Sequence, residues 1–179
     1  MNLLPGYSVR QGSTLDKALL VKFMQRTYQE QFPDQNFSHL AHTVEQYFCR
    51  NTPLWWVDAE VREQGAGGGE QGAGGNNFPI TNHQSPVACL WVGNAIDQVS
   101  GDRHPHIFLL YVIPEYRRRG LGKALMNYIE NWAKQNRNAS GEQTYHQIGL
   151  QVFLSNTPAL NLYHQLGYQE QSLWMIKSL

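Results

Sequence analysis

Apolar positions recur at helical spacing in four stretches of the chain. STLDKALLVKFMQRTYQEQF brings Leu15, Ala18, Leu19, Lys22, Phe23 and Met24 toward one face, with Ser13 or Thr14 ahead of it as a cap. SHLAHTVEQYFCRN predicts a second helix, capped by Ser38, with Leu40, Ala41, Val44, Tyr47 and Phe48 near one face. The most regular stripe is in LGKALMNYIENWAKQNR, where Leu121, Ala124, Leu125, Tyr128, Ile129, Trp132 and Ala133 align. NTPALNLYHQLGY predicts a short helix: Thr157 before Pro158 fits cap and first-turn proline, and Gly167 supplies the stop.

Strand patterns lie around and between these helices. YSVRQ, PLWWVDAEV and PVACLWVG are short and rich in β-formers. HIFLLYVI is apolar throughout, as expected of a strand covered on both faces. HQIGLQVF alternates Ile148, Leu150 and Val152 against Gln147, Gly149 and Gln151, which predicts one wetter face. YQEQSLWMIKSL closes with strand character. The predicted order is β-α-α-β-β-β-α-β-α-β, an α/β fold with a mixed sheet.

A chain of 179 residues predicts a single domain with a real core. The interruption is REQGAGGGEQGAGGNNFPITNHQS, residues 62–85, which repeats QGAGG at 64–68 and 71–75. No Lys-Ser/Thr follows it and no helix opens there, so it predicts a flexible insert joining two antiparallel strands rather than a phosphate loop.

Charge changes the picture only locally. Lysines plus arginines and aspartates plus glutamates number 14 each, so no global charge favours nucleic acid or an anionic membrane. Cys49 and Cys89 form neither a metal spacing nor a disulfide framework, and both read as core thiols suited to a reducing cytoplasm. No run reaches membrane-spanning length, and MNLLPGYSVR lacks the basic and apolar regions of a signal peptide. His104 with His106, and His39 with His42, have ligand-like spacing but no grouped third ligand, so no metal is expected.

The local exception is YRRRGLGKAL, Tyr116 to Leu125, between a predicted strand and the most regular helix. A helix start has unpaired N–H groups and partial positive charge. Gly120 and Gly122 would admit a ligand close to the backbone, and Arg117, Arg118, Arg119 and Lys123 add charge. The arrangement predicts a phosphate or pyrophosphate site rather than a plain basic turn. It matches neither a Walker loop nor a dinucleotide fingerprint.

YVIPEYRRRGLGKAL resembles the acetyl-CoA-binding signature of the GNAT superfamily of acyl-CoA N-acyltransferases, Gln/Arg-x-x-Gly-x-Gly/Ala, here Arg117 to Gly122. Val112, Pro114 and Tyr116 match the positions before it, and SNTPALNLYHQLGY resembles the second signature of that family. The resemblance implies a mostly antiparallel sheet with a strand splayed before the loop. It implies pantetheine pairing by the backbone of Leu110, Tyr111 and Val112, and pyrophosphate held by the amides of Arg118, Arg119, Gly120, Leu121, Gly122 and Lys123. Asn156 would bond the pantetheine, and Tyr163 would protonate the departing thiolate. Asn156 as a cap and Tyr163 as a core aromatic are the plainer readings of those residues.

Many relatives carry Glu where this chain has Gln151, which cannot take a proton from an amine. The base is then either water relayed to backbone carbonyls or an acid or histidine from elsewhere, such as Glu30, Asp58, His106 or His146. The resemblance also implies an acceptor groove formed by TYQEQFPDQNFSHLAHTVEQYF and YQEQSLW. The expected activity is transfer of an acetyl group from acetyl-CoA to a primary amine, small molecule or peptide, by direct attack. No metal, nucleic acid or membrane is expected to take part, and homodimerisation stays open. A non-catalytic acyl-CoA sensor or interaction module is the alternative, and a phosphate- or nucleic-acid-binding domain using the arginines alone is a third class.

Overall fold

The computed structural model describes residues 1–60, 85–137 and 139–178. It contains a six-stranded sheet in the order β1-β2-β3-β4-β5-β6. Strands β1 (Asn2–Leu4), β2 (Tyr7–Gln11), β3 (Leu54–Ala59), β4 (Ala88–Ile96) and β5 (Arg103–Val112) pair antiparallel in turn. β6 (Gly149–Leu150) joins β5 in parallel. Helices α1 (Lys17–Gln31) and α2 (Leu40–Tyr47) cover one face, and α3 (Leu121–Gln135) with α4 (Thr157–Gln165) the other. This is the expected mixed, mostly antiparallel architecture. Apart from Ser85, the Gly-rich insert lies outside the described residues. No helix among the described residues is long and apolar enough to cross a membrane.

Coverage on both faces explains the uninterrupted apolar strands. In β3, Trp55 and Val57 pack on the α3 side, while Leu54 and Trp56 pack under α1 and α2. In β4, Ala88, Leu90 and Val92 divide from Cys89 and Trp91 in the same way. Strand side chains alternate with period two, so a strand buried twice needs no polar position. Leu121, Leu125, Met126 and Ile129 close one layer. Leu20, Phe23, Met24, Leu40 and Val44 close the other.

β5 breaks this alternation. Ile107 packs on the α3 side, yet Leu109 and Tyr111 pack on the opposite face. The register gives the reason: Val92 opposes Ile107 and Trp91 opposes Leu109, leaving Phe108 without a partner. Phe108 is the extra residue of a β-bulge, a feature that bends its strand and re-aims the residues beyond. Its ring centroid lies 5.0 Å from that of Trp91. The ring also fills the space over Gly93 where a β-carbon would stand. Pairing of β5 with β6 stops at Ile107, the residue before the bulge.

Several expectations are corrected. β1 precedes the expected first strand. Ser13 caps a 3-10 turn, Thr14–Asp16, in a reciprocal box with Asp16. That turn has a tighter period than an α-helix, so Leu15 (92% exposed) falls off the stripe and Leu20 enters the core. In α2, Ala41 and Tyr47 are exposed and the buried row is Leu40, Val44 and Phe48. Ser38 does not cap this helix; its N–H donates to Asn36 Oδ1 at 2.8 Å, and His39 holds the cap position without a side-chain bond. Cys89 is buried as expected, but Cys49 is exposed. Asn156, not Thr157, is the N-cap of α4.

HQIGLQVF forms strand only at Gly149–Leu150, and residues 168–178 form none. A two-residue edge offers too few N–H and C=O groups to template a further strand. Leu173, Trp174, Met175 and Ile176 are accordingly 70–84% exposed.

Gly93→Ala should lower stability by about 1–3 kcal/mol in urea unfolding, because the methyl must displace the Phe108 ring. Phe108→Ala in the same chain should recover part of that loss. An undiminished loss in the double variant would mean that the ring contact is not the cause.

Candidate functional site

The chain leaves β5 through a 3-10 turn, Pro114–Tyr116, and enters α3 at Leu121. The main-chain N–H groups from Arg118 to Lys123 donate to no backbone carbonyl among the described residues; the next, of Ala124, bonds Gly120 O at 2.9 Å. Arg118 has φ 61° and Gly120 φ 82°. Left-handed positions so close together turn neighbouring amides into a concavity that suits an anion, at the positive end of a helix. Gly120 is suited by its conformation. Gly122 has another reason: a β-carbon there would sit 3.2 Å from Leu162 Cδ2 on α4. It therefore sets how closely α3 and α4 approach.

The arginine cluster divides in an unexpected way. Arg117 Nη2 bonds Glu30 Oε2 at 2.6 Å, its Nε donates to Val112 O at 2.8 Å, and its guanidinium lies 5.5 Å from the Tyr111 ring. Arg119 lies 4.8 Å from the Tyr116 ring and donates to Tyr7 Oη at 3.1 Å and Glu115 O at 2.9 Å. These two side chains tie the loop to α1, β2 and the end of β5. Arg118 and Lys123 make no side-chain hydrogen bond or ion pair among the described residues.

The loop continues an open strand edge. Ile113 N–H donates to Val87 O at 2.9 Å, toward β4. Main-chain groups alternate sides along a strand, so those of Val112 and Leu110 face away from β4, where β6 no longer pairs. Val112 O is taken by Arg117; the N–H groups of Leu110 and Val112 have no partner among the described residues. The Tyr111 side chain points into the α1 face instead, where its hydroxyl donates to Glu30 Oε1 at 2.6 Å. Burial, then the Glu30 hydrogen bond and charge, raise its pKa.

Asn156 and Tyr163 come from α4. Asn156 Oδ1 accepts from Ala159 N at 3.3 Å, so the cap reading holds, and the Nδ2 donors have no partner among the described residues. Tyr163 is 9% exposed and belongs to the α3-side core. Burial raises its pKa to about 12, which keeps the phenol protonated at neutral pH. α4 ends with Tyr168 N donating to Tyr163 O and Gly167 N to His164 O, each at 3.0 Å. Gly167 has φ 87°, and the Tyr163 and Tyr168 rings meet at 5.9 Å. This paired C-terminal cap with its hydrophobic contact is a Schellman motif, and it fixes the turn that carries Tyr163.

Of the candidate bases, the fold brings only Glu30 to the C-terminal half of β5. Asp58 pairs with Arg10 at 2.8 Å between β2 and β3. His146 is exposed in a loop. His106 lies lower on β5 beside His104, ring centroids 6.4 Å apart, and burial followed by the His104 charge lowers its pKa. Gln151 is exposed. The signal for Glu30 was its spacing: seven residues after Phe23, it shares the sheet-facing side of α1.

The expected acceptor wall is also revised. Most of YQEQSLW is exposed. The end of α1 instead meets the segment after β6: Phe153 lies 6.0 Å from Tyr28 and 5.1 Å from Phe32, ring to ring. Ser155 Oγ bonds Gln31 Oε1 at 3.2 Å. Rings and hydrogen bond together bridge from α1 to the chain beyond β6.

The sequence profile of the acetyltransferase (GNAT) family matches residues 20–168. The chain is 27% identical over 137 residues to the N-terminal acetyltransferase B complex catalytic subunit NAA20 of Arabidopsis thaliana, covering 76% of this chain and 65% of that one. It is 40% identical over 65 residues to an N-alpha-acetyltransferase of Sulfurisphaera tokodaii, covering 36% of this chain and 35% of the relative. It thus spans less than two thirds of either relative's length. Among solved structures, a predicted acetyltransferase with acetyl-CoA from Clostridium acetobutylicum superposes with TM-score 0.65 at 16% identity, over 96% of both chains. That likeness establishes the fold.

The raised Tyr163 pKa has a consequence for stability. Unfolded tyrosine ionises near 10.0, whereas folded Tyr163 keeps its proton to about 12. The unfolded state therefore binds fewer protons between those values, and stability should fall as pH rises through the window. Tyr163→Phe should make the fall shallower in urea unfolding measured across that range. An unchanged slope would contradict the burial of the phenol.

Proposed function

The chain carries an acetyltransferase domain of the GNAT family, and on that premise we propose that it moves an acetyl group from acetyl-CoA to a primary amine within a ternary complex. The observation that carries this reading is the continuity of unpaired backbone. The free amides of Arg118 to Lys123 adjoin the open edge of β5 at Leu110 and Val112. An anionic pyrophosphate and an amide-bearing arm need those two features in that order. Arg118 and Lys123 supply side-chain charge to the pyrophosphate. Asn156 Nδ2 adds a donor to the arm.

In the proposed reaction the neutral amine attacks the thioester carbonyl carbon. The Val112 N–H stabilises the oxyanion. As the tetrahedral intermediate collapses, the C–S bond breaks and Tyr163 protonates the thiolate. The amine nitrogen gives its proton to water, because Glu30 is committed to Arg117 and Tyr111. Two curated relatives named as N-terminal or N-alpha acetyltransferases favour the α-amine of a peptide as acceptor. The aromatic bridge of Tyr28, Phe32 and Phe153 gives such a peptide an apolar wall.

A second reading, a non-catalytic acyl-CoA sensor, draws support from the exposed Gln151 at the position expected of a base. Thiol release from acetyl-CoA, measured against N-terminal peptides, lysine peptides and small amines, separates the two. Binding without release for every acceptor would leave the sensor standing.

If acetyl transfer is right, Tyr163→Phe should lower turnover by roughly 10²- to 10⁴-fold with little change in acetyl-CoA affinity; full turnover would remove its acid role. Arg119→Ala should weaken coenzyme binding modestly in calorimetry, whereas Gly122→Leu should nearly abolish it by displacing Leu162 and α4. The reverse order would place the binding energy in the arginine side chain.

A further inference from the structure

The far end of α3 closes a second cavity, of about 350 Å³. Its walls include Trp55 of β3, Trp132 of α3 and Tyr145 of the following loop, with Arg50 and Asn51 from the α2–β3 connection and Asn94 from β4. Trp132 lies ten residues beyond Gly122, about 15 Å along the helix axis. The cavity is therefore separate from the coenzyme edge of β5.

The wall is built. Trp132 meets Trp55 edge-on, with centroids 5.6 Å apart, and stacks near-parallel on Tyr145 at 6.0 Å with 25° between planes. Trp55 is 4% exposed and anchored in the core. The turn carrying Tyr145 is held to the end of α3 by an Arg137–Gln143 bridge and by Thr144 N donating to Asn136 O at 3.0 Å. The polar side is unused. Arg50, Asn51 and Asn94 make no side-chain hydrogen bond or ion pair among the described residues. Among the described residues, no carboxylate lines the cavity.

We propose that this cavity is a binding site for a planar aromatic carboxylate, distinct from the acetyl-CoA site. The ring would pack against Trp132 and Tyr145, and the carboxylate would pair with the fork of Arg50, with the two asparagine amides as further donors. The volume lies at the small end of the range for ligand pockets, which suits one or two fused rings. With Arg50 as the charged group of the described lining, the cavity selects an anion over an aromatic amine.

The test uses the full chain and three indole probes in calorimetry: indole-3-acetate, neutral indole-3-acetamide and cationic tryptamine. Indole-3-acetate should bind saturably with a dissociation constant of about 1 mM or tighter, as a ligand of its size allows. The amide should bind at least about tenfold more weakly and tryptamine not at all. Arg50→Ala should weaken indole-3-acetate by about tenfold or more, and Tyr145→Ala and Trp132→Ala should each reduce binding. Arg103→Ala, an exposed arginine outside the cavity, should leave it unchanged. Tyr145 stands in a loop, so its variant keeps the test valid if Trp132→Ala fails to fold. Saturating coenzyme A should not displace the probe. Absence of saturable binding at millimolar concentration, equal binding of tryptamine, indifference to Arg50→Ala, or displacement by coenzyme A would overturn the proposal.

Discussion

The site depends on one unpaired residue. β5 stays zipped to β4 along its length and holds the core, yet parts from β6 after Ile107. The bulge at Phe108 reconciles the two. It inserts a residue against β4 without ending that ladder, switches the face of every residue beyond it, and coincides with the end of β6 pairing. Leu109 and Tyr111 then complete the α1-side core, while the N–H groups of Leu110 and Val112 are left without a partner among the described residues. Gly93 makes the bulge sterically acceptable by leaving room for the ring.

From that bend the chain runs into a loop whose conformation is held by side chains. Arg117 and Arg119 are anchored to Glu30, Val112, Tyr7, Tyr116 and Glu115. Exposed ion pairs such as Arg117–Glu30 contribute at most about 1 kcal/mol to stability. Their effect here is geometric. They fix the left-handed turns that point the amides of Arg118 to Lys123 outward, and they couple the loop to the end of α1. Because Glu30 also accepts from Tyr111, the helix bearing the aromatic bridge, the bulged strand and the anion loop meet at one carboxylate.

α3 joins two regions of different character. Its first turn offers free amides and a glycine that admits α4; its last turns carry Trp132 against Trp55. Between them Leu125, Met126 and Ile129 are fully buried against the sheet. The helix thus spaces a run of backbone amides without backbone partners among the described residues at one end from an aromatic cavity at the other.

The sequence by itself determined the elements that depend on local periodicity and capping. These were the stripe of α3, the apolar strands β3 and β4, the stop at Gly167 and the glycine–arginine loop at a helix start. Those features rest on interactions within a few residues, so spacing alone exposes them. The tertiary structure decided what depends on register and on meetings of distant segments. The bulge at Phe108 exists only relative to β4. The commitment of Arg117 to Glu30 joins residues 87 positions apart. The exposure of Leu173 to Ile176 follows from how little of β6 forms a ladder, which no composition of the tail itself reveals. Side-chain type announced that a cation cluster stood at a helix start. Only packing decided which arginines were anchors, because an arginine's role is set by the acceptor the fold brings within reach.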